Sequence, residues 1–413
     1  MLKIAQINTC TYGSTGKIAK GLNTVVERRG EMGYICVPNG RHNKGRPVTK
    51  KSIWIGGRIS EDLHLLLDRF TGLNGFFSKI ATHRFLRKLT KLDIDVLHLH
   101  NLHNCYVNLP MLFRYIKKHN IPVIWTLHDC WAFTGHCPHF TMAKCDKWKT
   151  GCHHCPQHME YPKSYVDNSK FMYRKKQEWF TGVQDLTIVT PSAWLADFVK
   201  RSFFKGVPVQ VIHNGIDLSV FKPTESEFRK KHHCEDKFIL LGVAFGWGAR
   251  KGLDVFIDLA SRLDDRFQIV LVGTDDNVDK NLPPNVISIH RTQNQAELAE
   301  IYTAADLFVN PTREDTYPTV NMESLACGTP VVTFQTGGSP ECVDPTCGSV
   351  VPCDDVNALE QEPIWNKVSL SEAEIMRIYE NRPYCAEDCI ARAKEFDMNE
   401  RFEEYVRLYT EVQ

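Results

Sequence analysis

The chain has 413 residues, which is long enough for two domains that each bury a full hydrophobic core. A net charge of +1 excludes a global field that would draw the chain to nucleic acid or to an anionic membrane, and the 43% hydrophobic and 24% charged content is ordinary for a globular protein. No apolar run approaches the roughly 20 residues needed to span a bilayer. The polar start, MLKIAQINTC, predicts a first strand instead of a signal peptide, so we expect a cytoplasmic protein.

The N-terminal part begins with a predicted strand over 3–8 and a loop that contains Gly13 and Gly16. A predicted helix over 17–29 follows, and this order is typical of a Rossmann-like domain. The loop is neither a Walker loop nor a full GxGxxG, so by itself it does not identify a nucleotide. The next segment, 41–57, is polar and glycine-rich and predicts irregular structure.

The segment 69–91 carries six cations and no acid, and phenylalanine and leucine residues are interleaved with them. A basic amphipathic stretch of this kind can lie on an anionic membrane. The alternative is a surface helix whose basic face is simply solvated.

Two predicted buried strands, 95–100 and 123–128, both end in histidine. A histidine at the end of a strand is either a structural residue or part of a site at the carboxyl edge of the sheet. We therefore regard His128 as a candidate site residue, with His98 and His100 as weaker candidates.

A cysteine-rich insert covers 130–156 and contains four closely spaced thiols: Cys137, Cys145, Cys152 and Cys155. In a reducing compartment, four such thiols suit a closed tetrahedral zinc site that holds a loop without a core of its own. Histidines nearby could replace one of the ligands. Free thiols and two disulfides are the alternatives.

The polar run 225–237 indicates a domain boundary after the NGID turn at 214–217. The second domain restarts with a predicted strand over 238–245 and a glycine-rich loop that ends in Arg250 and Lys251. Two cations at the start of a helix oppose the helix dipole unless an anion binds there. This pair therefore suits a diphosphate.

The stretch 306–344 contains two predicted strand–loop–helix junctions on adjacent parallel strands. Open α/β sheets bind ligands at the carboxyl ends of their strands, and free N–H groups at such junctions suit a diphosphate. Ser339 is the predicted N-cap of the second helix. Three carboxylates in the stretch, Asp315, Glu323 and Glu341, suit sugar hydroxyls. The stretch therefore predicts a nucleotide-sugar site.

A carboxylate, seven residues, a Glu and then a Cys-Gly-Thr-Pro-Val turn follow one another here as Asp315, Glu323 and ACGTPVV over 326–332. This pattern resembles the retaining glycosyltransferases of family 4, although that family usually has Glu where this chain has Asp315. The resemblance implies the α/β fold GT-B, with two Rossmann-like domains and a cleft between them. It implies an acceptor domain over 1–217, a donor domain over 218–396 and a C-terminal helix over 397–413 that packs back on the first domain.

The resemblance also implies roles for individual residues. Asp315 would serve the transferred sugar, Glu323 would hold the ribose, and His128 would contact the sugar near its reacting carbon. The remaining donor-binding residues implied are Gly13, Gly16, Arg250, Lys251, Gly337, Gly338, Ser339 and Glu341. The protein cations would take the place of a catalytic metal, so the only cofactor-like ligand expected is the nucleotide-diphosphate sugar itself.

Inserts in a Trp-x-Leu-His-Asp-x-Trp context, found here over 125–156, resemble those of a bacterial subgroup that assembles exopolysaccharide such as colanic acid. This implies transfer of a hexose-type sugar from a UDP or GDP sugar to a glycan acceptor linked to lipid. It also implies peripheral contact with the inner membrane through 69–91, and no nucleic-acid partner.

Two other functions remain open at this point. A nucleotide-sugar epimerase would use the same scaffold without an acceptor, and a non-catalytic nucleotide-sugar binder is compatible with the Asp at 315. The base, the sugar and the acceptor depend on pocket shape in variable loops.

Overall fold

The computed structural model describes residues 1–40, 43, 51–353 and 365–412, without the side chains of 365–370. The chain forms two compact units. Unit 1 comprises Met1–His213 and Asn399–Gln413, and unit 2 comprises Asn214–Met398.

Unit 1 is built on a parallel sheet of seven strands in the order β3-β2-β1-β4-β5-β6-β7. The strands are β1 Lys3–Ile7, β2 Met32–Asn39, β3 Ser52–Gly57, β4 Val96–Leu99, β5 Val123–Thr126, β6 Leu186–Thr190 and β7 Val209–Val211. The helices are α1 Gly13–Arg28, α2 Arg58–Thr71, α3 Lys79–Leu92, α4 Leu109–His119, α5 Ser169–Phe180 and α6 Ala193–Arg201. The C-terminal helix α14, Met398–Glu411, also belongs to this unit apart from its first residue.

Unit 2 is built on a parallel sheet of six strands in the order β10-β9-β8-β11-β12-β13. The strands are β8 Phe238–Val243, β9 Phe267–Val272, β10 Val286–Ile289, β11 Leu307–Asn310, β12 Val331–Phe334 and β13 Gly348–Val351. The helices are α7 Phe228–Lys231, α8 Leu253–Arg262, α9 Asp276–Asp279, α10 Gln295–Ala304, α11 Thr319–Ala326, α12 Trp365–Asn381 and α13 Ala386–Ala393.

Local sequence explains the ends of several elements. Asn108 caps α4, because its side chain accepts a hydrogen bond from the Met111 N–H, and Pro110 occupies the first turn. Ser192 caps α6 in the same way through the Leu195 N–H. Gly328, with φ of 84°, follows α11 and ends it as the sequence predicts.

Each sheet contains a point at which the strand order reverses. In unit 1 the first strand, β1, lies between β2 and β4, and in unit 2 β8 lies between β9 and β11. Loops at the carboxyl ends of such strand pairs diverge and leave room for a ligand. Gly13 and Gly16 follow β1, and Arg250, Lys251 and Asp315 follow β8 and β11. His128 follows β5 and the segment 337–341 follows β12, so these lie one strand further along each sheet.

One expectation about unit 1 needs correction, and burial bears on another. Residues 52–57, predicted to be irregular, form β3, which pairs in parallel with β2; most of 41–50 lies outside the described residues. Phe85, Leu86 and Leu89 of α3 are buried in the core, whereas Ile80 is 72% exposed and the basic residues of the helix face solvent. In the part of the chain described, no helix combines the length and apolarity needed to cross a bilayer.

Candidate active site

Three loops of unit 2 are tied together at the carboxyl ends of β8, β11 and β12. The Arg313 backbone N–H donates to the Arg250 carbonyl at 2.9 Å, and its guanidinium donates to the Ala249 carbonyl at 2.7 Å. The same guanidinium forms two hydrogen bonds of 2.7 Å with the Asp254 carboxylate. Thr336, after β12, donates to the Arg313 carbonyl at 2.8 Å. Arg313, which sequence analysis missed, therefore fixes the backbone that carries the predicted diphosphate ligands.

Lys251 and Asp315 form an ion pair between two of these loops. The Lys251 Nζ lies 2.5 Å from Asp315 Oδ2, and the two side chains are 22% and 20% exposed. The Tyr317 N–H donates to the other carboxylate oxygen at 3.3 Å. Glu314, the neighbouring acid, is buried, so Asp315 is the acid of this loop that meets Lys251.

Gly337 and Gly338 pack directly against the loop that contains Asp315. Gly337 has φ of 58°, and a Cβ at this position would lie 1.7 Å from the Asp315 carbonyl oxygen. The Gly338 N–H donates to the same carbonyl at 3.3 Å. Only glycine fits at 337 for both reasons, and the close approach holds the loop after β12 against the loop after β11.

The sequence predicted Ser339 as a helix N-cap, but in the structure Ser339 does not cap a helix. Its hydroxyl lies 2.6 Å from the Thr333 hydroxyl and accepts from the Asn321 amide at 3.0 Å. Asn321 in turn accepts from the Asn310 amide at 2.7 Å. The segment Ser339–Cys342 is a single 3-10 turn that begins after Gly338. Ser339 therefore anchors the loop to the core.

Glu323 lies on α11 and accepts a hydrogen bond from the Tyr302 hydroxyl of α10 at 3.3 Å. Burial raises the pKa of Tyr302 well above its usual value, and the nearby Glu323 carboxylate raises it further. Tyr302 therefore stays a donor and holds this carboxylate in place.

Glu341 lies in the 3-10 turn, where its backbone carbonyl accepts from Arg392 at 2.8 Å.

In unit 1, Gly13 and Gly16 occupy the first turn of α1. Gly13 has φ of 68°, and nothing lies within 4 Å of a Cβ built on it. Gly16 differs, since a Cβ there would lie 2.5 Å from the Thr11 backbone. The close approach at Gly16 is thus to the chain's own loop, whereas Gly13 faces open space.

His128 follows β5 and belongs to a hydrogen-bonded chain across the sheet. Gln6 donates its amide N–H to the Ala19 carbonyl at 3.0 Å, so its side-chain oxygen accepts from His100 Nε2 at 3.1 Å. The remaining nitrogen of a neutral His100, Nδ1, then accepts from His128 Nε2 at 3.1 Å. Burial lowers the pKa of His128 to about 4 and that of His100 well below its usual value, so both rings are neutral near pH 7. The network assigns the proton of His128 to Nε2.

A second chain connects the sheet to α14. His98 lies 2.6 Å from the Tyr409 hydroxyl through Nδ1 and 2.8 Å from the Thr126 hydroxyl through Nε2. Thr126 donates to the Tyr405 oxygen at 3.2 Å, so it accepts from His98, and His98 Nδ1 accepts from Tyr409. Burial lowers the pKa of His98 to about 3. This neutral ring joins β4 to the C-terminal helix.

A polar cluster that sequence analysis missed lies beside His128. His103 contacts Asp129 through Nε2 at 2.9 Å and the Tyr161 hydroxyl through Nδ1 at 3.0 Å. Burial acts to raise the pKa of Asp129, but His103 and the Trp131 N–H lower it to about 2. Asp129 follows His128 directly in the sequence, and this adjacency was the available signal.

Aromatic side chains of the cysteine-rich insert pack into the hydrophobic core of unit 1. Trp131, Phe133, Phe140 and Trp148 are buried in it. The Nζ of the buried Lys176 lies 3.4 Å from the Trp131 ring centre and donates to the Trp131 carbonyl at 2.8 Å.

None of the fifteen cysteines forms a disulfide, so neither of the two disulfides considered for the insert is present. Cys137 is hydrogen-bonded to Cys155, which lowers the pKa of Cys155 and raises that of Cys137. The Cys152 sulfur accepts from the Gly135 N–H at 3.2 Å. Among the described residues, no three His, Cys, Asp or Glu side chains are grouped as metal ligands. The zinc site predicted from Cys137, Cys145, Cys152 and Cys155 stays a prediction.

Two sequence families match the chain. Residues 66–220 match Glycosyltransferase Family 4, and residues 236–364 match Glycosyl transferases group 1. Together the two families account for more than half of the 413 residues, with one match in each unit.

Similar proteins of known name are also glycosyl transferases. WcaC of Escherichia coli strain K12, whose name assigns it to the glycosyl transferases of colanic acid biosynthesis, is 26% identical over 326 residues, which is 76% of each chain. A D-inositol 3-phosphate glycosyltransferase of Thermobifida fusca is 30% identical over 189 residues, which cover 38% of this chain and 43% of the relative.

Solved structures share the fold over nearly the whole chain. Sucrose-phosphate synthase of Thermosynechococcus elongatus has a TM-score of 0.68 and 17% identity, and covers 100% of this chain and 99% of its own. Anabaena HepE in complex with UDP and glucose has a TM-score of 0.65 and 14% identity, with 100% of both chains covered. With two parallel α/β units and a family match in each, the chain belongs to the family 4 and group 1 glycosyltransferases of the GT-B fold.

Proposed function

We propose that the protein moves a hexose-type sugar from a nucleotide-diphosphate sugar to a glycan acceptor linked to lipid, with retention at the anomeric carbon. The product would be an intermediate of a bacterial surface polysaccharide. The relation to WcaC, which covers 76% of this chain, supports the polysaccharide assignment.

The observation that carries the donor assignment is the cationic junction of the three loops in unit 2. Arg250 is exposed, and Lys251 is held near it by its ion pair with Asp315. Two cations on a braced loop can neutralise a departing diphosphate, which is the largest electrostatic demand of the transfer. We assign the backbone of Gly337 and Gly338 to the same group.

The other site residues receive the roles that the family implies. Glu323 holds the ribose, Asp315 and Glu341 orient the sugar, and Ser339 supports the loop that contains Glu341. We assign Gly13 and Gly16 to the donor phosphates and His128 to the transferred sugar. A neutral His128 can hydrogen-bond to sugar hydroxyls without competing with the cations for the diphosphate.

Unit 1 would hold the acceptor near the carboxyl edge of its sheet. His103, Asp129 and Tyr161 form a polar group there that can hydrogen-bond to a glycan. A lipid-linked acceptor requires the protein to work at a membrane surface, and the basic face of 69–91 suits anionic headgroups. We propose peripheral association on this basis.

The donor assignment is tested by thermal unfolding of the purified protein with UDP, GDP, ADP and dTDP in turn. A ligand at about 100 times its dissociation constant adds roughly 2.7 kcal/mol to the stability of the folded state. We expect one nucleotide to raise the unfolding temperature clearly, which also names the base. If none of the four shifts the transition, the donor site is wrong.

Analysis of the products tests the reaction. Incubation with the sugar form of the stabilising nucleotide and a lipid-linked glycan extract should release free nucleotide diphosphate and extend the acceptor. An isomeric donor would identify an epimerase instead. Nuclear magnetic resonance of the anomeric proton in the product distinguishes retention from inversion.

A further inference from the structure

Helix α2 presents its apolar side to solvent. Ile59, Leu63, Leu66 and Phe70 follow one another at spacings of four, three and four residues, so they form one stripe along the helix. Their exposed fractions are 86%, 54%, 52% and 61%. A surface helix normally buries such a stripe against the core, and a contiguous exposed apolar patch marks an interaction surface.

The opposite side of α2 is polar and buried, which fixes the helix in this orientation. His64 accepts from the Gly75 N–H through Nε2 at 3.2 Å, so its Nδ1–H donates to the Ser78 hydroxyl at 2.9 Å. Asp68 accepts from the Asn74 amide at 2.7 Å and from the Cys105 thiol at 3.3 Å. Rotating the helix to bury its leucines would break these hydrogen bonds. The buried polar side of α2 therefore keeps the apolar stripe exposed.

The exposed patch continues beyond the end of α2. The Tyr165 N–H donates to the Arg69 carbonyl at 2.8 Å, and the ring centre of Tyr165 lies 5.4 Å from that of Phe70. Tyr165 and Val166 are 48% and 43% exposed. We call the combined surface the α2 stripe, and it consists of Ile59, Leu63, Leu66, Phe70, Tyr165 and Val166.

The surroundings of the α2 stripe are positively charged. Of the acids in α2, Glu61 and Asp68 are buried, and Asp62 pairs with Arg58 at 3.5 Å. Helix α3, which has no acid, meets α2 through the hydroxyls of Ser60 and Ser78, 3.1 Å apart. The exposed cations on the two helices and the adjoining loop are Arg58, Arg69, Lys79, Arg84, Arg87, Lys88, Lys91 and Lys163.

We propose that the α2 stripe inserts among the headgroups of an anionic lipid bilayer, with the cations of α3 against the lipid phosphates. An apolar stripe bordered by cations of one sign is the pattern of a helix that lies in a membrane interface, whereas the cores of protein interfaces are depleted of charge. The inference rests on the proposed function only in that a lipid-linked acceptor gives the contact a purpose. It moves the apolar part of the predicted membrane contact from 69–91 to α2, because Phe85, Leu86 and Leu89 of α3 are buried.

The test is co-sedimentation of the full chain with vesicles of phosphatidylglycerol mixed with phosphatidylcholine. The double substitution Leu63→Gln and Leu66→Gln should weaken binding about tenfold or more, because it removes two apolar side chains from the contact. Val350→Gln, on β13 in unit 2, is the matched control, since Val350 is also exposed, at 39%, and lies far from α2 in sequence. We expect this control to bind vesicles like the unchanged protein.

The cations beside the α2 stripe are tested in the same vesicle-binding experiment. Replacing Arg84, Arg87 and Lys88 by Gln should weaken binding about fivefold for each cation removed, and added salt should have a similar effect. Vesicles of phosphatidylcholine alone should bind weakly. The proposal is overturned if the unchanged protein does not sediment with anionic vesicles, or if the leucine variant binds them equally well.

Two further measurements keep this result separate from the donor assignment. The leucine variant should retain the unfolding temperature of the unchanged protein and its stabilisation by nucleotide, because the substituted residues are exposed and lie in the other unit. If it loses vesicle binding with the nucleotide response intact, the membrane surface is supported whether or not transfer has been observed. A dimer that the same substitutions abolish, without vesicle binding, would identify a second copy as the occupant and overturn the proposal.

Discussion

The carboxyl edges of the two sheets hold their polar side chains in different ways. In unit 2 the edge carries charges that are partly exposed and paired across loops, as in Lys251–Asp315 and Arg313–Asp254. In unit 1 the edge carries neutral histidines in buried chains, such as His128–His100. The first arrangement can exchange a protein partner for a ligand anion, whereas the second keeps uncharged donors and acceptors in fixed directions.

This difference follows from the cost of burying charge. A cation that must meet a diphosphate has to stay near water until the ligand arrives, and an ion pair at the surface is weak enough to rearrange. A neutral imidazole can be fully buried once both nitrogens are hydrogen-bonded, as for His98. The site residues of unit 2 can therefore change partners when a ligand binds, whereas those of unit 1 are already fixed in place.

Acidification should lower the stability of unit 1 much more than that of unit 2, and this is the largest effect that we expect. Burial lowers the pKa of His64 and His98 to about 3 and that of His128 to about 4, and it lowers the pKa of His100 well below its usual value. The unfolded chain protonates histidine near pH 6.5, so below this pH the unfolded state binds more protons and unit 1 loses stability. The loss should reach several kcal/mol by about pH 4, at about 1.4 kcal/mol per pH unit for each ring.

Hydrogen exchange followed by mass spectrometry measures this effect in each unit separately. Protection in β4 and β5 should fall between pH 6.5 and 4, whereas protection in β8 and β11 should change less. In unit 2 the raised pKa of His290, caused by its hydrogen bond with Asp279, acts in the opposite direction. Equal loss of protection in both sheets would contradict the assignment of the acid sensitivity to the buried histidines.

Glu323→Ala should produce the largest change in activity. We propose that this carboxylate holds two ribose hydroxyls, so its loss should reduce transfer about a hundredfold or more, because each charge-assisted hydrogen bond contributes about 1.5 to 3 kcal/mol. Circular dichroism should show an intact fold. Glu235→Ala, which removes an exposed carboxylate of the same unit, serves as the control. Transfer at the unchanged rate in the Glu323 variant would refute the assignment.

Substituting Lys251 and substituting Asp315 should change the affinity for the nucleotide in opposite directions. Lys251→Ala should weaken the nucleotide diphosphate about tenfold, because it removes a cation from the phosphates. Asp315→Asn should tighten it several-fold, because Lys251 loses a competing anion 2.5 Å away. Calorimetric titration measures both, and Lys280→Ala controls for the loss of an exposed cation. Weaker binding in the Asp315 variant would show that this acid does not compete with the phosphates.

Local patterns were sufficient for many elements of the fold. The predicted strand over 95–100 contains β4 with one extra residue at each end, and the predicted strand over 238–245 begins where β8 begins. In both cases an apolar run is bounded by polar or glycine residues, so the period and the ends are set by neighbours in sequence. The family motif in 306–344 likewise predicted β11, α11 and β12.

Contacts between distant segments could not be predicted in this way. Lys251 and Asp315 are brought together because β8 pairs with β11, and no local period contains that pairing. Ser339 has the residue type of an N-cap, but Asn321 and Thr333 take up its hydroxyl. The outward side of α2 was missed for a related reason, since its buried polar partners, Gly75 and Asn74, lie outside the helix.

The last prediction concerns the hydrogen bond that joins α14 to the sheet of unit 1. Tyr409→Phe removes the hydroxyl that lies 2.6 Å from His98 Nδ1 and leaves that buried nitrogen without its donor. Protection of β4 in hydrogen exchange should therefore fall by about 1 to 3 kcal/mol, with unit 2 unaffected. Tyr165→Phe, in the exposed α2 stripe, should leave β4 unchanged and so controls for loss of a tyrosine hydroxyl. If the two variants behave alike, the C-terminal helix is held by its apolar contacts alone, and the hydrogen-bonded chain does not stabilise unit 1.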